Sequence, residues 1–121
     1  MPLELEAISE AFIGAAIAVH RDKGPGFLES IYENCLKIEC EERGILAEFQ
    51  KDTPIIYKGR LVGTHKLDIL IENQLVVELK AVKALEDIHF AQVRSYLRAA
   101  ELSHGLLVNF ASLTLTVKRV L

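Results

Sequence analysis

Two carboxylates stand where the pattern of the sequence calls for apolar side chains. Asp68 lies inside Leu67-Asp68-Ile69-Leu70-Ile71, Glu78 lies inside Val76-Val77-Glu78-Leu79, and Lys80 follows two residues later. Charge where burial is expected marks a candidate site, because local sequence rules fail most often where function overrides them. Side chains alternate along a strand, so Glu78 and Lys80 share a face. A three-residue loop at Glu72-Asn73-Gln74 pairs Ile71 with Leu75 and sets Asp68 opposite Glu78 on that face; a two-residue loop turns Asp68 away. Opposed carboxylates repel unless positive charge sits between them. Lys80 supplies part of that charge and a divalent cation can supply the rest. Two converging carboxylates with few other ligands suit Mg²⁺, which keeps several waters. The alternative is a buried ion pair of Asp68 or Glu78 with Lys80, which seldom adds net stability because desolvation offsets the attraction. On these residues alone the two readings stand level.

Other polar residues compete for a place beside them. Glu29 lies at the rim of a helical apolar arc, one turn before Glu33; by itself it reads as a solvated acid gaining from the helix dipole. Glu39 lies deeper in the same arc and rivals it for an inward role. His89, Gln92 and Tyr96 are spaced i, i+3, i+7 and form a stripe bordering Phe90, Val93, Leu97 and Ala100, with Arg94 and Arg98 turned away. A lone His or Gln at such a border is more often structural than functional. The four histidines His20, His65, His89 and His104 form no zinc pattern. Gly24-Pro25-Gly26 lacks the Gly-Lys-Ser/Thr of a phosphate loop, and no Gly-x-Ser-x-Gly elbow occurs. Cys35 and Cys40 fit a helix poorly as a disulfide and read as small buried apolar residues.

The elements that must position these residues follow from periodicity. Ile8, Phe12, Ala15, Ala16 and Val19 predict a helix over residues 3–20. Gly24-Pro25-Gly26 breaks it. A second helix runs over 27–43, with Leu28, Ile31, Tyr32, Cys35, Leu36 and Ile38 as its apolar arc and Gly44 as its cap. The period then changes. Residues 47–57 read as an extended segment with Pro54 at an edge or bulge, and 61–71 and 75–82 as strands, the last apolar on both faces and central. A third helix over 86–102 crosses the sheet, and 105–110 and 113–121 complete it. The order is α-α-β-β-β-α-β-β in one α/β domain spanning residues 1–121.

Composition sets the bounds. The chain has 121 residues, 50% hydrophobic and 26% charged, a globular balance that excludes disorder. A chain of this length buries roughly two-thirds of its unfolded surface, enough for a core without staples. No run approaches the roughly 20 apolar residues of a membrane span, and the acidic start lacks the features of a signal peptide, so the expected location is cytoplasmic. The net charge of −3 is unevenly spread. Residues 1–48 carry 10 acids and 4 bases, residues 49–121 carry 7 and 10, so a polyanion meets the second part first. An apolar fraction above what a small monomer needs makes a homodimer the expected assembly.

Taken together, these segments resemble a known pattern. Gly26-Phe27-Leu28-Glu29-Ser30-Ile31-Tyr32 reads Gly-x-x-Glu-x-x-Tyr, and Glu78-Leu79-Lys80 gives Glu-x-Lys with Asp68 ten residues upstream. Gln92-Val93-Arg94-Ser95-Tyr96 and Gly105-Leu106-Leu107-Val108-Asn109-Phe110 follow. The chain resembles the GxxExxY proteins of the PD-(D/E)XK nuclease superfamily over roughly residues 7–121. Leu67 stands where the superfamily's name has proline. The resemblance implies a restriction-endonuclease-like core, a central mixed sheet flanked by helices, and a Mg²⁺- or Mn²⁺-dependent site that hydrolyses phosphodiester bonds in nucleic acid, DNA ahead of RNA. Asp68, Glu78 and the Leu79 carbonyl match the metal ligands, and Lys80 matches the lysine that positions water and stabilises the pentacovalent phosphate. Glu29 matches the helix-borne acid, and Gln92 and Tyr96 match the helix motif of recombination-type exonucleases. The rival reading is a catalytically silent nucleic-acid- or protein-binding domain that retains the fold. A weaker third is a structural or oligomerisation module, which has no reason to keep Asp68, Glu78 and Lys80 inside apolar strands.

Overall fold

The computed structural model describes residues 3–121. The three- and four-residue apolar spacing winds the first segment into α1 (Leu3–Lys23), longer than periodicity predicts because the last turn continues until Gly24, at φ 68°, ends it. Helix α2 (Glu29–Arg43) begins after an extended Leu28 and ends at Gly44, whose left-handed backbone lets its N–H donate to the Cys40 and Glu41 carbonyls. Its apolar arc is narrower than expected. Tyr32, Leu36 and Cys40 are buried one turn apart, while Leu28, Ile31 and Ile38 are exposed, because one stripe alone meets α1 and the sheet. Cys40 is buried, Cys35 is half-buried, and both are free. Burial pushes the Cys40 thiol up to about 11, so it behaves as an inert apolar residue.

Five strands follow the expected order: β1 (Ala47–Tyr57), β2 (Arg60–Ile71), β3 (Leu75–Lys80), then α3 (Asp87–Ala100), β4 (His104–Asn109) and β5 (Thr116–Val120). They lie side by side in the order β1-β2-β3-β4-β5. All neighbours are antiparallel except β3 and β4, which α3 joins as a parallel crossover. The result is an α/β fold, a mixed sheet flanked by helices in a restriction-endonuclease-like arrangement. β3 is central and buried along its length up to Lys80. It stops there, two residues short of the sequence expectation, because the Asn109 side chain takes over the Val82 N–H and carbonyl. β5 starts at Thr116, later than expected, after a turn in which the Ser112 hydroxyl donates to the Thr114 carbonyl.

The sheet has a core on each face. Phe12, Ala15 and Ala16 of α1 and Tyr32 and Leu36 of α2 pack on Ile69, Ile71, Val77, Leu79, Leu106 and Val108. On the other face Val93 and Leu97 of α3 pack on Leu67, Leu70, Val76 and Leu107. Gly105 lets α3 approach closely, since a Cβ there would lie 2.9 Å from the Val93 Cγ1. Helix α3 is capped on both sides of its first turn: the Glu86 side chain accepts from the His89 N–H, and the His89 Nδ1 accepts from the Glu86 N–H at 3.0 Å. His89 thus serves the helix start, leaving Gln92 and Tyr96 of its stripe.

Candidate active site

The loop count decides where the two acids meet. Glu72 and Asn73 take positive φ, the Gln74 N–H donates to the Ile71 carbonyl at 2.9 Å, and Ile71 pairs with Leu75. The β2–β3 ladder runs through Leu70↔Val76 and Ile69↔Val77 and ends there, one step short of Asp68 and Glu78. From that point the two carboxylates replace the ladder. The Leu79 N–H donates to Asp68 Oδ2 at 2.9 Å, and the Asp68 N–H donates to Glu78 Oε1 at 3.3 Å. In an extended strand the N–H and C=O of one residue point to the same edge. The Leu79 carbonyl therefore points toward β2, past the last rung, where no strand partner uses it.

β1 breaks at the same level. Gln50, which faces Asp68 in the register, has φ 53° and drops out of the ladder between Phe49↔Ile69 and Lys51↔Leu67. Up to this level β2 sends Ile69 and Ile71 to the α1–α2 core; beyond it Leu67 joins the α3 core. A switch of face between two residues of the same parity requires a local irregularity, and Gln50 and Asp68 supply it. The Gln50 amide donates to Glu33 Oε1 at 2.6 Å and reaches Asp68 Oδ1 at 3.5 Å. Glu29, Ser30, Glu33, Gln50, Asp68 and Leu79 line a cleft of about 190 Å³ here. Glu33 and Gln50 were not singled out by spacing; the change of strand face that places Gln50 is visible only in three dimensions.

Glu29 reaches this cleft through the turn before α2. Gly26 has φ 116°, open to glycine and strained for any other residue. Tyr32 clamps the turn: its hydroxyl donates to the Gly24 carbonyl at 2.6 Å and accepts from the Phe27 N–H at 3.1 Å. Its ring stacks on Phe110 with centroids 4.4 Å apart. The spacing Gly-x-x-Glu-x-x-Tyr thus has a mechanical meaning: the glycine makes the turn, the tyrosine locks it, and the glutamate between them opens the helix beside the cleft. Glu39, its rival, pairs with Arg43 at 2.6 Å on the far part of α2.

Charge in the site is unbalanced. Glu78 is 5% exposed, and its carboxyl is pushed up to about 9, by burial first and by the Asp68 carboxylate next, with Lys80 opposing. Glu29 is raised too, by partial burial and by Asp68 and Glu33, against the pull of Lys80 and the Ala81 N–H. Among the described residues Lys80 makes no salt bridge with either strand acid. No group of three or more His, Cys, Asp and Glu side chains stands at metal-ligand spacing among them either. The donors that do converge, the Asp68 and Glu78 carboxylates and the Leu79 carbonyl, are hard oxygens short of positive charge. That set fits an ion such as Mg²⁺ or Mn²⁺, which takes few protein ligands and keeps its waters.

On the opposite side of the carboxylates stands Tyr96 of α3, stacked on His65 of β2 with centroids 3.7 Å apart and planes 13° from parallel. Burial, then Glu78 and Asp68, raise its phenol. Gln92 is half-buried one turn earlier, with no side-chain hydrogen bond among the described residues. The structure thus brings Asp68, Glu78, Leu79, Lys80 and Glu29 to the end of β3, with Tyr96 flanking them and Gln92 one turn before it on α3.

A family model described as the PD-(D/E)XK nuclease superfamily matches residues 6–120. No curated protein matches the chain. Among solved structures, the crystal structure of SSO0001 is similar in fold, with a TM-score of 0.60 at 19% identity over 75% of this chain. The chain spans 48% of that neighbour's length. No described helix is long and apolar enough to cross a membrane. With the match running almost end to end and the Asp…Glu-x-Lys residues gathered where β2 and β3 part, the chain belongs to the PD-(D/E)XK nuclease superfamily.

Proposed function

We propose that the protein is a divalent-metal-dependent nuclease that hydrolyses phosphodiester bonds in nucleic acid, DNA ahead of RNA, and that it is a GxxExxY member of its superfamily. The observation that carries the reading is the convergence of Asp68 and Glu78 at the parted ends of β2 and β3, each carboxylate accepting the other strand's N–H. Asp68, Glu78 and the Leu79 carbonyl would hold Mg²⁺ or Mn²⁺, which when bound neutralises phosphate charge and acidifies water. Lys80 projects from the Glu78 face and stabilises the charge that builds on the equatorial phosphate oxygens. Glu29, whose carboxylate partial burial makes more basic than an ordinary glutamate's, orients the attacking water and accepts its proton. Tyr96 and Gln92 border the substrate on the α3 side. The exposed apolar residues Phe27, Leu28, Ile31 and Ile38 are in keeping with a homodimer, and a cytoplasmic location belongs to the same reading.

The test is metal-dependent cleavage of single- and double-stranded DNA and RNA by wild type and Lys80→Ala, with Mn²⁺ binding followed by calorimetry. Lys80→Ala is expected to keep metal affinity and to lose about a hundredfold or more in turnover. Asp68→Asn is expected to weaken Mn²⁺ at least about tenfold, as loss of one of two charged ligands does. Equal trace cleavage by wild type and Lys80→Ala would mean contamination and would leave the catalytically silent binding domain as the reading.

A further inference from the structure

A second cleft, of about 570 Å³, lies between the β1–β2 hairpin and α3. Pro54, Ile55 and Ile56 of β1 form one wall, the His65–Tyr96 stack another, and Ser95, Arg98 and Glu101 of α3 a polar border. Arg98, which helical spacing sets apart from the Tyr96 stripe, joins it here. The cleft adjoins the carboxylates: His65 is three residues from Asp68 on β2, and both His65 and Tyr96 sense the Asp68 charge. His65 Nε2 is buried with no hydrogen-bond partner among the described residues. Such an atom is costly unless a partner arrives.

The surroundings are cationic. Beyond the Gln50–Asp68 break, β1 and β2 continue as a two-stranded arm without β3 beside it. Lys51 and Lys66 on that arm are paired with Glu48 and Asp52. Lys58 and Arg60 at its tip, and Arg98 on α3, have no acidic partner within salt-bridge reach among the described residues. Glu101 is the one acid in the lining.

We propose that this cleft receives an unpaired nucleobase next to the scissile phosphate, so that the substrate is a single strand or a frayed end. A slot with aliphatic and aromatic walls and polar groups along one border suits a flat heteroaromatic ring with hydrogen-bonding edges. Stacking is tolerant of sequence, while Arg98 and the arm cations take the flanking phosphates. A base held in a duplex is paired and stacked on both sides and cannot enter between a strand and a helix. The polymer's identity rests on the nuclease reading above; the cleft's occupation by an unpaired base does not need cleavage.

The experiment is fluorescence anisotropy in EDTA with labelled oligothymidylate and oligouridylate of roughly ten nucleotides and a blunt DNA duplex of equal length. Wild type is expected to bind the single strands at least about tenfold more tightly than the duplex, the scale of one base–aromatic stack. The DNA and RNA arms show whether the sugar matters. Ala99 of α3 also lines the cleft, so Ala99→Trp fills it and is expected to lose that preference while keeping Mn²⁺ affinity. Arg98→Ala removes an exposed cation without touching the core and is expected to weaken single-strand binding several-fold, which decides the matter if Ala99→Trp does not fold. Preference for the duplex, no binding to any of the three probes, or unchanged single-strand affinity in Arg98→Ala and in a folded Ala99→Trp, would overturn the proposal. Single-strand binding lost in Ala99→Trp without metal-dependent cleavage would keep the cleft and remove the nuclease. Cleavage of duplex indifferent to Ala99→Trp would do the reverse.

Discussion

Glu78 keeps its proton to a pH at which an ordinary glutamate has lost it, because it is buried against a second carboxylate. The consequence for stability has a definite sign. Its pKa in the folded chain lies above the 4.5 of an unperturbed glutamate, so the folded state binds more protons across the interval up to about 9. Stability therefore falls as pH rises through that interval. Thermal melts in EDTA are expected to show a decreasing Tm between about pH 5 and about pH 8.5, and Glu78→Gln is expected to flatten that slope. A Tm slope identical in the two proteins would remove the carboxylate pair as its cause. Metal binding is expected to oppose the fall, since a cation between the acids favours their charged forms.

Between residues and fold, the elements carry the site by a few fastenings. Tyr32→Phe removes the donor to the Gly24 carbonyl and the acceptor for the Phe27 N–H while leaving the Phe110 stack. The expected cost is about 1–3 kcal/mol by chemical denaturation. Turnover should fall through Glu29 with little change in Mn²⁺ affinity, a split that a purely structural role would not produce. Asn109 is a comparable splint: its amide makes bonds to the Val82 N–H, the Val82 carbonyl and the Ala111 N–H, and so steadies the segment that follows Lys80. Gly105 sets the depth of α3. A methyl there meets Val93 at 2.9 Å and the Val76 carbonyl at 3.3 Å, so Gly105→Ala is expected to cost about 1–3 kcal/mol by overpacking. It should also lift Tyr96 from His65, readable as a change in tyrosine fluorescence.

For the whole molecule, the uneven charge and the apolar surface make separate predictions. The arm cations lie in the half of the chain with more bases than acids, so nucleic-acid affinity should fall with salt although the net charge is −3. Lys58→Ala with Arg60→Ala is expected to lower the salt slope of single-strand binding, by about one unit or less per charge removed. The proposed dimer predicts a dimeric sedimentation coefficient at tens of micromolar protein; a monomer throughout would retire that part of the reading. Leu28, Ile31 and Ile38 are the residues whose exposure makes the measurement worthwhile, since helical periodicity had assigned them to the core.

The sequence by itself determined the element order, the place of the turn at Glu72-Asn73-Gln74 between β2 and β3 and the central position of β3. Each follows from signals local in the chain: period, turn residues and an apolar run interrupted by charge. Gly-x-x-Glu-x-x-Tyr was legible for the same reason, since its glycine, acid and tyrosine lie within two turns. Only the tertiary structure decided that the ladder stops one rung before Asp68 and Glu78, that Gln50 turns out of β1 to reach Glu33 and Asp68, and that His65 lies under Tyr96. These depend on where strands part and on which core each face meets. Such facts are set by the packing of α2 and α3 on opposite sides of the sheet, between residues far apart in the chain.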